Sequence, residues 1–422
     1  MKFTTVKGTR DILPDEIISW RYVENVIHDT MVSFNYKEIR TPLFEKTELF
    51  ARSIGEHTDI VTKEMYTFKD HSKTKLTLKP ELTAPVVRAY IQHNLSQLGP
   101  LAKLYYIAPL FRQERPQAGR FRQFHQYGVE AIGSPYPEQD VELILLAKAI
   151  YERIGISGYT IKLNSVGDTV CRKDYVERLK KALKPSLNLL CKNCRFRYDK
   201  NPMRIFDCKE ERCREIFQER APVIADFLCE NCKQHFEAVK RHLDDLGFQY
   251  TIDPHMVRGL DYYTSTTFEF ISKELGAQDA LCGGGRYDLL VQELGGKPTP
   301  AAGFAAGIER LLMVMNRQQI KVQDEKPLQV FIIPMGVQFI DSALRLIDRL
   351  RNKGFSCEMD HLRRSLKSQM REANRQKVKF TVIIGDEEMK RGTITVKNME
   401  NGVQESIPEQ KLEDYLLNTL KK

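Results

Sequence analysis

No apolar run in this 422-residue chain reaches the roughly 18–20 residues needed to span a bilayer. The amino end, Met1-Lys2-Phe3-Thr4-Thr5-Val6-Lys7-Gly8, lacks the apolar core of a secretory leader. No G-x-x-x-x-G-K-[ST] phosphate loop occurs, and there is no internal repeat or low-complexity tract. The nine cysteines are clustered instead of spread, which argues against a secreted disulfide framework in so long a chain. These absences leave a globular chain of two or three domains, with cytoplasm as the expected compartment and no membrane partner.

Composition is ordinary for such a chain, 42% hydrophobic and 29% charged. The formal net charge of +9 favours an anionic partner, nucleic acid being the commonest large one. The other reading of that charge is a mildly basic enzyme without such a partner. Six cysteines fall between Cys191 and Cys232. The pairs Cys191-x-x-Cys194 and Cys229-x-x-Cys232 can together supply four thiolates to one tetrahedral, structural Zn²⁺. The gap between them is longer than in a compact zinc ribbon, so reduced thiols in a small domain are the competing expectation.

Ile17, Trp20, Val23, Ile27, Met31 and Phe34 recur at helical spacing and predict a long amphipathic helix from Pro14 to about Phe34. A strand at Tyr36–Pro42 should follow, then strands at Glu64–Phe68 and Lys75–Pro80 and a helix opening at Glu81. Lys103–Ala108 and Phe124–Ala131 read as a hairpin whose long tip carries Arg112, Glu114, Arg115, Arg120 and Arg122. A helix at Val141–Ile154 and a strand at Thr160–Asn164 complete a mostly antiparallel pattern. From about Val170 to Asp253 the rhythm is helical and cysteine-rich, as in an insertion. A polar stretch, Asn316–Lys326, precedes strand–helix alternation of α/β type.

The chemistry concentrates in three places. Val257-Arg258-Gly259-Leu260-Asp261-Tyr262-Tyr263-Thr264, with Cys282-Gly283-Gly284-Gly285-Arg286-Tyr287 close behind, suggests a pocket for a small, polar, partly anionic molecule. Arginines on the hairpin tip, with Phe124 to stack a base and Arg310 far along the chain, suit a nucleoside triphosphate bound without a phosphate loop. An ion-paired surface hairpin is the plainer alternative. In the last quarter, Arg364, Lys367, Arg371 and Arg375 fall at helical spacing opposite Leu362, Leu366, Met370 and Ala373, a solvated face or an RNA contact.

Taken together, these segments resemble the class II aminoacyl-tRNA synthetases. The first helix and the strand ending at Pro42 resemble motif 1, the dimer-interface element; Phe111-Arg112-Gln113-Glu114 resembles motif 2; Gly303-Phe304-Ala305-Ala306-Gly307-Ile308-Glu309-Arg310 resembles motif 3. Lys7–Pro14 and Arg258–Tyr263 are similar to the histidyl-tRNA synthetase family in particular. The resemblance implies an α+β fold: an antiparallel sheet core with flanking helices, a helical insertion and a C-terminal α/β anticodon-binding domain. The implied boundaries are 1–169 and 254–320 for the catalytic core, 170–253 for the insertion and 327–422 for the last domain. It implies a homodimer that activates L-histidine with ATP and Mg²⁺ and transfers it to the 3′ end of tRNA(His).

By the same resemblance Arg112 and Arg258 are the catalytic cations at the α-phosphate. Glu114, Arg120, Phe124 and Arg310 hold the rest of ATP, and Glu81, Thr83 and Gln126 hold the amino end of histidine. Glu130, Tyr262 and Tyr263 read the imidazole, and the basic stripe touches tRNA. One departure stands out: Leu82 occupies a position where the family usually has glycine. The alternative is a non-catalytic, synthetase-like regulatory subunit of ATP phosphoribosyltransferase, which is expected to lack the last domain and the full Arg-Gly-Leu-Asp-Tyr-Tyr block.

Overall fold

The structure is a computed structural model describing residues 3–56, 58–117, 119–322 and 328–420. The chain divides into two compact units, 1–322 and 323–422. The polar stretch expected at Asn316–Lys326 begins inside a helix, Ile308–Arg317, and its end lies outside the described residues.

In the first unit, the opening helix runs Pro14–Ser33. Pro14 at its start costs nothing, because the first amides of a helix have no intrahelical acceptor, and Asp15 and Glu16 complement the positive helix end. Its buried face is Trp20, Val23, Ile27 and Met31, as the periodicity predicts. That face shares one apolar core with helix Pro137–Ile154 and with one side of an eight-stranded sheet.

Across the sheet the strands run Lys37–Glu38, Ala102–Phe111, Gln123–Ile132, Ala301–Gly307, Ala280–Arg286, Thr264–Ser272, Tyr159–Ser165 and Tyr250–Ile252. The six central strands pair antiparallel, and each edge strand pairs parallel. Ala102–Phe111 and Gln123–Ile132 form the expected hairpin, in register from Ala102 opposite Ile132 to Phe111 opposite Gln123. A separate three-stranded sheet, Phe44–Lys46, Lys75–Leu78 and Thr67–Lys69, lies between the opening helix and helix Thr83–Gln92 in the chain. Strand structure begins later than expected there, since Ile60–Glu64 is a π-helical turn.

Between Tyr159–Ser165 and Tyr250–Ile252 the chain forms helices Thr169–Leu183, Lys192–Lys200, Glu211–Arg220 and Glu230–Asp245. Their apolar residues join those of the sheet side: Tyr175, Leu179, Ile205 and Phe217 belong to one buried cluster with Tyr262, Tyr263 and Tyr287. The strands before and after this excursion are neighbours, so the excursion leaves the sheet and returns to its edge.

The second unit is a five-stranded sheet ordered Cys357–Met359, Val330–Pro334, Phe380–Ile384, Thr393–Asn398 and Gln404–Pro408. The first three strands are parallel, with helices Ile340–Asn352 and Leu366–Arg375 between them in the chain, as strand–helix alternation predicts. The last two add an antiparallel hairpin that periodicity did not reveal. Leu366–Arg375 also starts later than the basic stripe suggested. Arg364 and Leu362 lie in the preceding turn, where the Asp360 side chain accepts from the Arg364 amide (2.7 Å).

Candidate active site

The strands at the middle of the sheet carry glycine where other strands carry side chains, and this shapes a cleft on the face opposite the main core. An added Cβ at Gly283 would lie 2.3 Å from the Arg258 guanidinium, and one at Gly303 would lie 2.1 Å from Glu130 Oε2. Both glycines are therefore needed for close approach, because no Cβ fits at those distances. The cleft they open is lined by Glu81, Thr83, Arg112, Glu114, Arg120, Phe124, Gln126, Arg258, Tyr262, Tyr263 and Arg310, brought together from four parts of the chain.

At one end, four guanidinium groups face one region. Arg112 leaves strand Ala102–Phe111, donates from Nε to the Pro80 carbonyl (2.9 Å) and lies 5.3 Å from the Phe124 ring centroid. Phe124 therefore already carries a cation on one face. Arg120 bonds Glu114 across the tip at 2.6 Å. Arg310, at the start of helix Ile308–Arg317, donates to the Ala280 carbonyl (2.9 Å). Burial, then the charges of Arg120 and Arg112, hold its guanidinium below its ordinary value. Arg258 pairs with Glu269, while its buried Nε has no hydrogen-bond partner among the described residues. Like charges gathered in a half-buried cleft make a strong anion site.

At the other end lies a buried carboxyl pair. Glu81 accepts from the amides of Thr83 (2.8 Å) and Ala84 (3.0 Å), capping helix Thr83–Gln92. Burial nevertheless raises its carboxyl to about 7. Glu130, only 1% exposed, sits just below the cleft wall. Its Oε1 accepts from Thr83 Oγ1 (2.8 Å) and Tyr106 OH (3.0 Å), and its Oε2 accepts from Tyr287 OH. Burial raises this carboxyl to about 8, outweighing the hydrogen bonds from Tyr287 and Thr83. Tyr262 stacks edge-on against Tyr287 (5.5 Å) and tilts against Tyr263 (4.9 Å), closing the apolar side.

Leu82 has ordinary backbone angles (φ −118°, ψ −19°) and packs with Val86, Tyr106 and Leu110. Glycine is not required there. The hairpin tip is held from the amino end: the Arg122 amide donates to the Gly8 carbonyl (2.7 Å), and Arg10 lies 5.6 Å from the Phe121 ring centroid. Behind the cleft, Glu309 accepts from the His125 amide (2.9 and 3.0 Å) and ring Nδ1 (3.0 Å), fixing the helix that carries Arg310.

Sequence reasoning missed four participants. Tyr106, Tyr287 and Glu269 needed strand register to be recognised, although Tyr287 stood in the glycine block already singled out. Gly303 was visible only as part of a motif. It also misassigned the cysteines. Cys191 and Cys194 gather with Cys208 and Cys213, while Cys229 and Cys232 gather with Cys171 and Asp168, so the two C-x-x-C pairs do not share one centre. Each pair starts a different helix, and helix placement sets which sulfurs meet. In the second unit, Arg364 is paired with Asp360 and Glu372, and Arg375 with Glu372. Lys367 and Arg371 are exposed.

A sheet of six antiparallel central strands with arginines from a hairpin and from a strand-to-helix junction converging on one cleft, followed by a small α/β unit, defines a class II aminoacyl-tRNA synthetase. Residues 8–311 match the family described as histidyl-tRNA synthetase, and residues 329–419 match that described as anticodon binding domain. The chain belongs to the histidyl-tRNA synthetase family. The histidine–tRNA ligase of Acetivibrio thermocellus is 48% identical over 401 residues, spanning 95% of this chain and 96% of that protein. The crystal structure of apo S. aureus histidyl-tRNA synthetase is 42% identical with a TM-score of 0.84, covering 98% of this chain and 99% of that one. An ATP phosphoribosyltransferase regulatory subunit/histidyl-tRNA synthetase from Bacillus halodurans shares the fold at 21% identity (TM-score 0.67; 92% of this chain, 99% of that one).

Proposed function

We propose that this protein is a histidine–tRNA ligase, and the observation that carries the reading is the convergence of Arg112, Arg120, Arg258 and Arg310 on a cleft that also holds Glu81, Tyr262 and Tyr263. In the first step the carboxylate of L-histidine attacks the α-phosphorus of ATP. The new bond joins carboxylate oxygen to phosphorus, the bond to the bridging oxygen breaks, and pyrophosphate leaves. Negative charge grows on the α-phosphoryl oxygens. Arg112 and Arg258 stabilise it without reorganising, because Pro80, Phe124 and Glu269 already fix them. Glu114 and Phe124 hold the adenine, and Arg120 and Arg310 neutralise the outer phosphates. In the second step a hydroxyl of the terminal ribose of tRNA(His) attacks the acyl carbonyl; the ester C–O bond forms, the acyl–phosphate C–O bond breaks, AMP departs and the hydroxyl proton leaves with it or to solvent.

Glu81, Thr83 and Gln126 receive the amino end of histidine. The imidazole offers one donor and one acceptor. Tyr263 and Glu130 meet them; among the described residues Glu130 Oε2 accepts from Tyr287 alone and so keeps a lone pair for a ring N–H. A side chain without those polar atoms leaves buried groups unpaired, which supports discrimination on the order of 10⁴ or more. Mg²⁺ belongs to this reading as the ion that accompanies ATP. The cleft's carboxylates are engaged, Glu81 by backbone amides, Glu114 by Arg120 and Glu309 by His125, so such an ion would arrive with the nucleotide and would add to the charge neutralisation that the arginines supply.

The second unit contacts tRNA through Lys367 and Arg371, which are exposed and, among the described residues, not held by carboxylates as Arg364 and Arg375 are. A homodimer fits the exposed aromatic pair Phe44 and Phe68, whose rings lie 6.1 Å apart on the three-stranded sheet. No helix among the described residues is long and apolar enough to cross a membrane, and a cytoplasmic location fits. A regulatory-subunit reading leaves the arginine cluster without a task. The test is ATP–pyrophosphate exchange across the twenty amino acids. Exchange with histidine alone is expected, and equal exchange with another amino acid refutes the assignment.

A further inference from the structure

Two clusters of metal-ligating side chains lie outside the cleft, and neither has a task in the chemistry above. In the first, Cys191, Cys194, Cys208 and Cys213 bring four sulfurs within 4.8 Å of one another. In the second, Asp168, Cys171, Cys229 and Cys232 do the same with three sulfurs and one carboxylate oxygen. We propose that the helical excursion of this chain holds two structural Zn²⁺ ions, one in each cluster.

The spacing fits zinc. A Zn–S bond of about 2.3 Å in a tetrahedron separates its sulfurs by about 3.8 Å. Cys191 and Cys208 are 3.9 Å apart, far beyond the roughly 2.05 Å of a disulfide. The backbone also suits thiolates. The Cys191 amide points at Cys213 Sγ (3.3 Å) and the Cys194 amide at Cys191 Sγ (3.4 Å). In the second cluster the Cys229 amide points at Cys171 Sγ (3.0 Å). Asp168 Oδ1 caps helix Thr169–Leu183 through the Val170 and Cys171 amides (both 2.9 Å). Its Oδ2 faces Cys229 Sγ at 3.6 Å and is the oxygen ligand.

Local architecture repeats between the two. Each C-x-x-C places its first cysteine at the N-cap of a helix, Cys191 before Lys192–Lys200 and Cys229 before Glu230–Asp245. The remaining ligands come from other elements, Cys208 and Cys213 from the turn and helix that follow, and Asp168 and Cys171 from the start of helix Thr169–Leu183, so each ion cross-links separate segments of the excursion. Soft sulfur donors and closed four-fold sets select Zn²⁺ over Mg²⁺ or Ca²⁺, and leave no open position for catalysis.

These centres stand behind the residues that hold the histidine loop. Arg172, next to Cys171, donates to the Tyr263 carbonyl and to the Val166 carbonyl (3.0 Å). Arg204, between Cys194 and Cys208, lies 3.8 Å from Asp261 and 2.6 Å from Asp207. Both flanks of Asp261–Tyr263 are thus gripped by arginines whose own segments the ions tie down. Loss of zinc therefore raises KM for histidine several-fold while KM for ATP moves less. That kinetic part rests on the ligase reading, whereas metal content does not, so the two can fail separately.

The decisive measurement is elemental analysis of the full-length protein, purified in reductant and passed over chelating resin. Two zinc per chain are expected. The double variants Cys191→Ser/Cys208→Ser and Cys171→Ser/Cys229→Ser should each keep one. A wild-type content below two, iron in place of zinc, or two zinc surviving either double substitution overturns the proposal. If a variant does not fold, the wild-type protein decides: a mercurial thiol reagent must release two zinc to a chromogenic chelator. Release of fewer, or fewer than nine titratable thiols in denaturant without reductant, refutes it as well.

Discussion

Replacing Gly283 by alanine adds a single methyl group at the place where the Arg258 guanidinium lies on the sheet. The new Cβ would stand 2.3–2.4 Å from three guanidinium atoms, against an ordinary contact of at least 3.4 Å. The end of the arginine must therefore retreat by about 1 Å, losing its fixed position against Glu269. The backbone of Gly283 needs no left-handed conformation and the obstruction is the tip of a flexible chain, so folding is spared. A transition-state cation displaced by this distance costs about 10²-fold in kcat, or roughly 2.7 kcal/mol. The assay is histidine-dependent ATP–pyrophosphate exchange, with thermal unfolding measured alongside. Expected are a loss of about 10²-fold in kcat and a Tm within a few degrees of wild type. Arg258→Ala should fall by a similar factor, and the double variant should fall little further, because both changes remove the same contact. Wild-type turnover in Gly283→Ala, or fully additive losses in the double variant, would show that Arg258 does no work from its observed position.

Tyr287→Phe removes one donor to Glu130 and should raise KM for histidine about 10-fold with a smaller change in KM for ATP; equal changes in both would point to a collapsed cleft instead. Histidine binding should release protons near neutral pH. Glu81 and Glu130 are held at about 7 and about 8 by burial, and the incoming ammonium beside Glu81 and ring N–H at Glu130 favour their ionised forms. Calorimetry at pH 7 in buffers of different ionisation enthalpy should find on the order of half a proton or more released per histidine, and the release should shrink by pH 9 as both groups ionise beforehand. Proton uptake, or none at pH 7, contradicts the placement of the amino end. Lys367→Glu with Arg371→Glu should weaken aminoacylation of tRNA(His) at least 10-fold through KM for tRNA, leaving pyrophosphate exchange untouched; a loss in exchange would place these residues in a different role.

The long helix, the central hairpin and the strand-to-helix segment at Gly307 were legible because each is a local pattern. The lining residues of the cleft were nameable because the resemblance brings motifs with fixed roles. What stayed hidden depends on which strands are neighbours. Glu269 meets Arg258 only because its strand runs beside that of Gly283, and no spacing encodes this pairing. Tyr106 and Tyr287 converge on Glu130 from two further strands. The cysteines fail for the same reason: C-x-x-C is readable, but the second pair of ligands is chosen by helix packing. The antiparallel hairpin at Thr393–Pro408 escaped because strand–helix alternation had already accounted for the domain.

The bond from the Arg122 amide to the Gly8 carbonyl, with Arg10 beside Phe121, ties the first stretch of chain to the arginine-bearing tip of the hairpin. When ATP enters and the tip of the hairpin adjusts, residues 6–10 must travel with it or let go. With the nucleotide site proposed at the tip, entry of ATP involves both pieces, and its speed should respond to changes at Gly8.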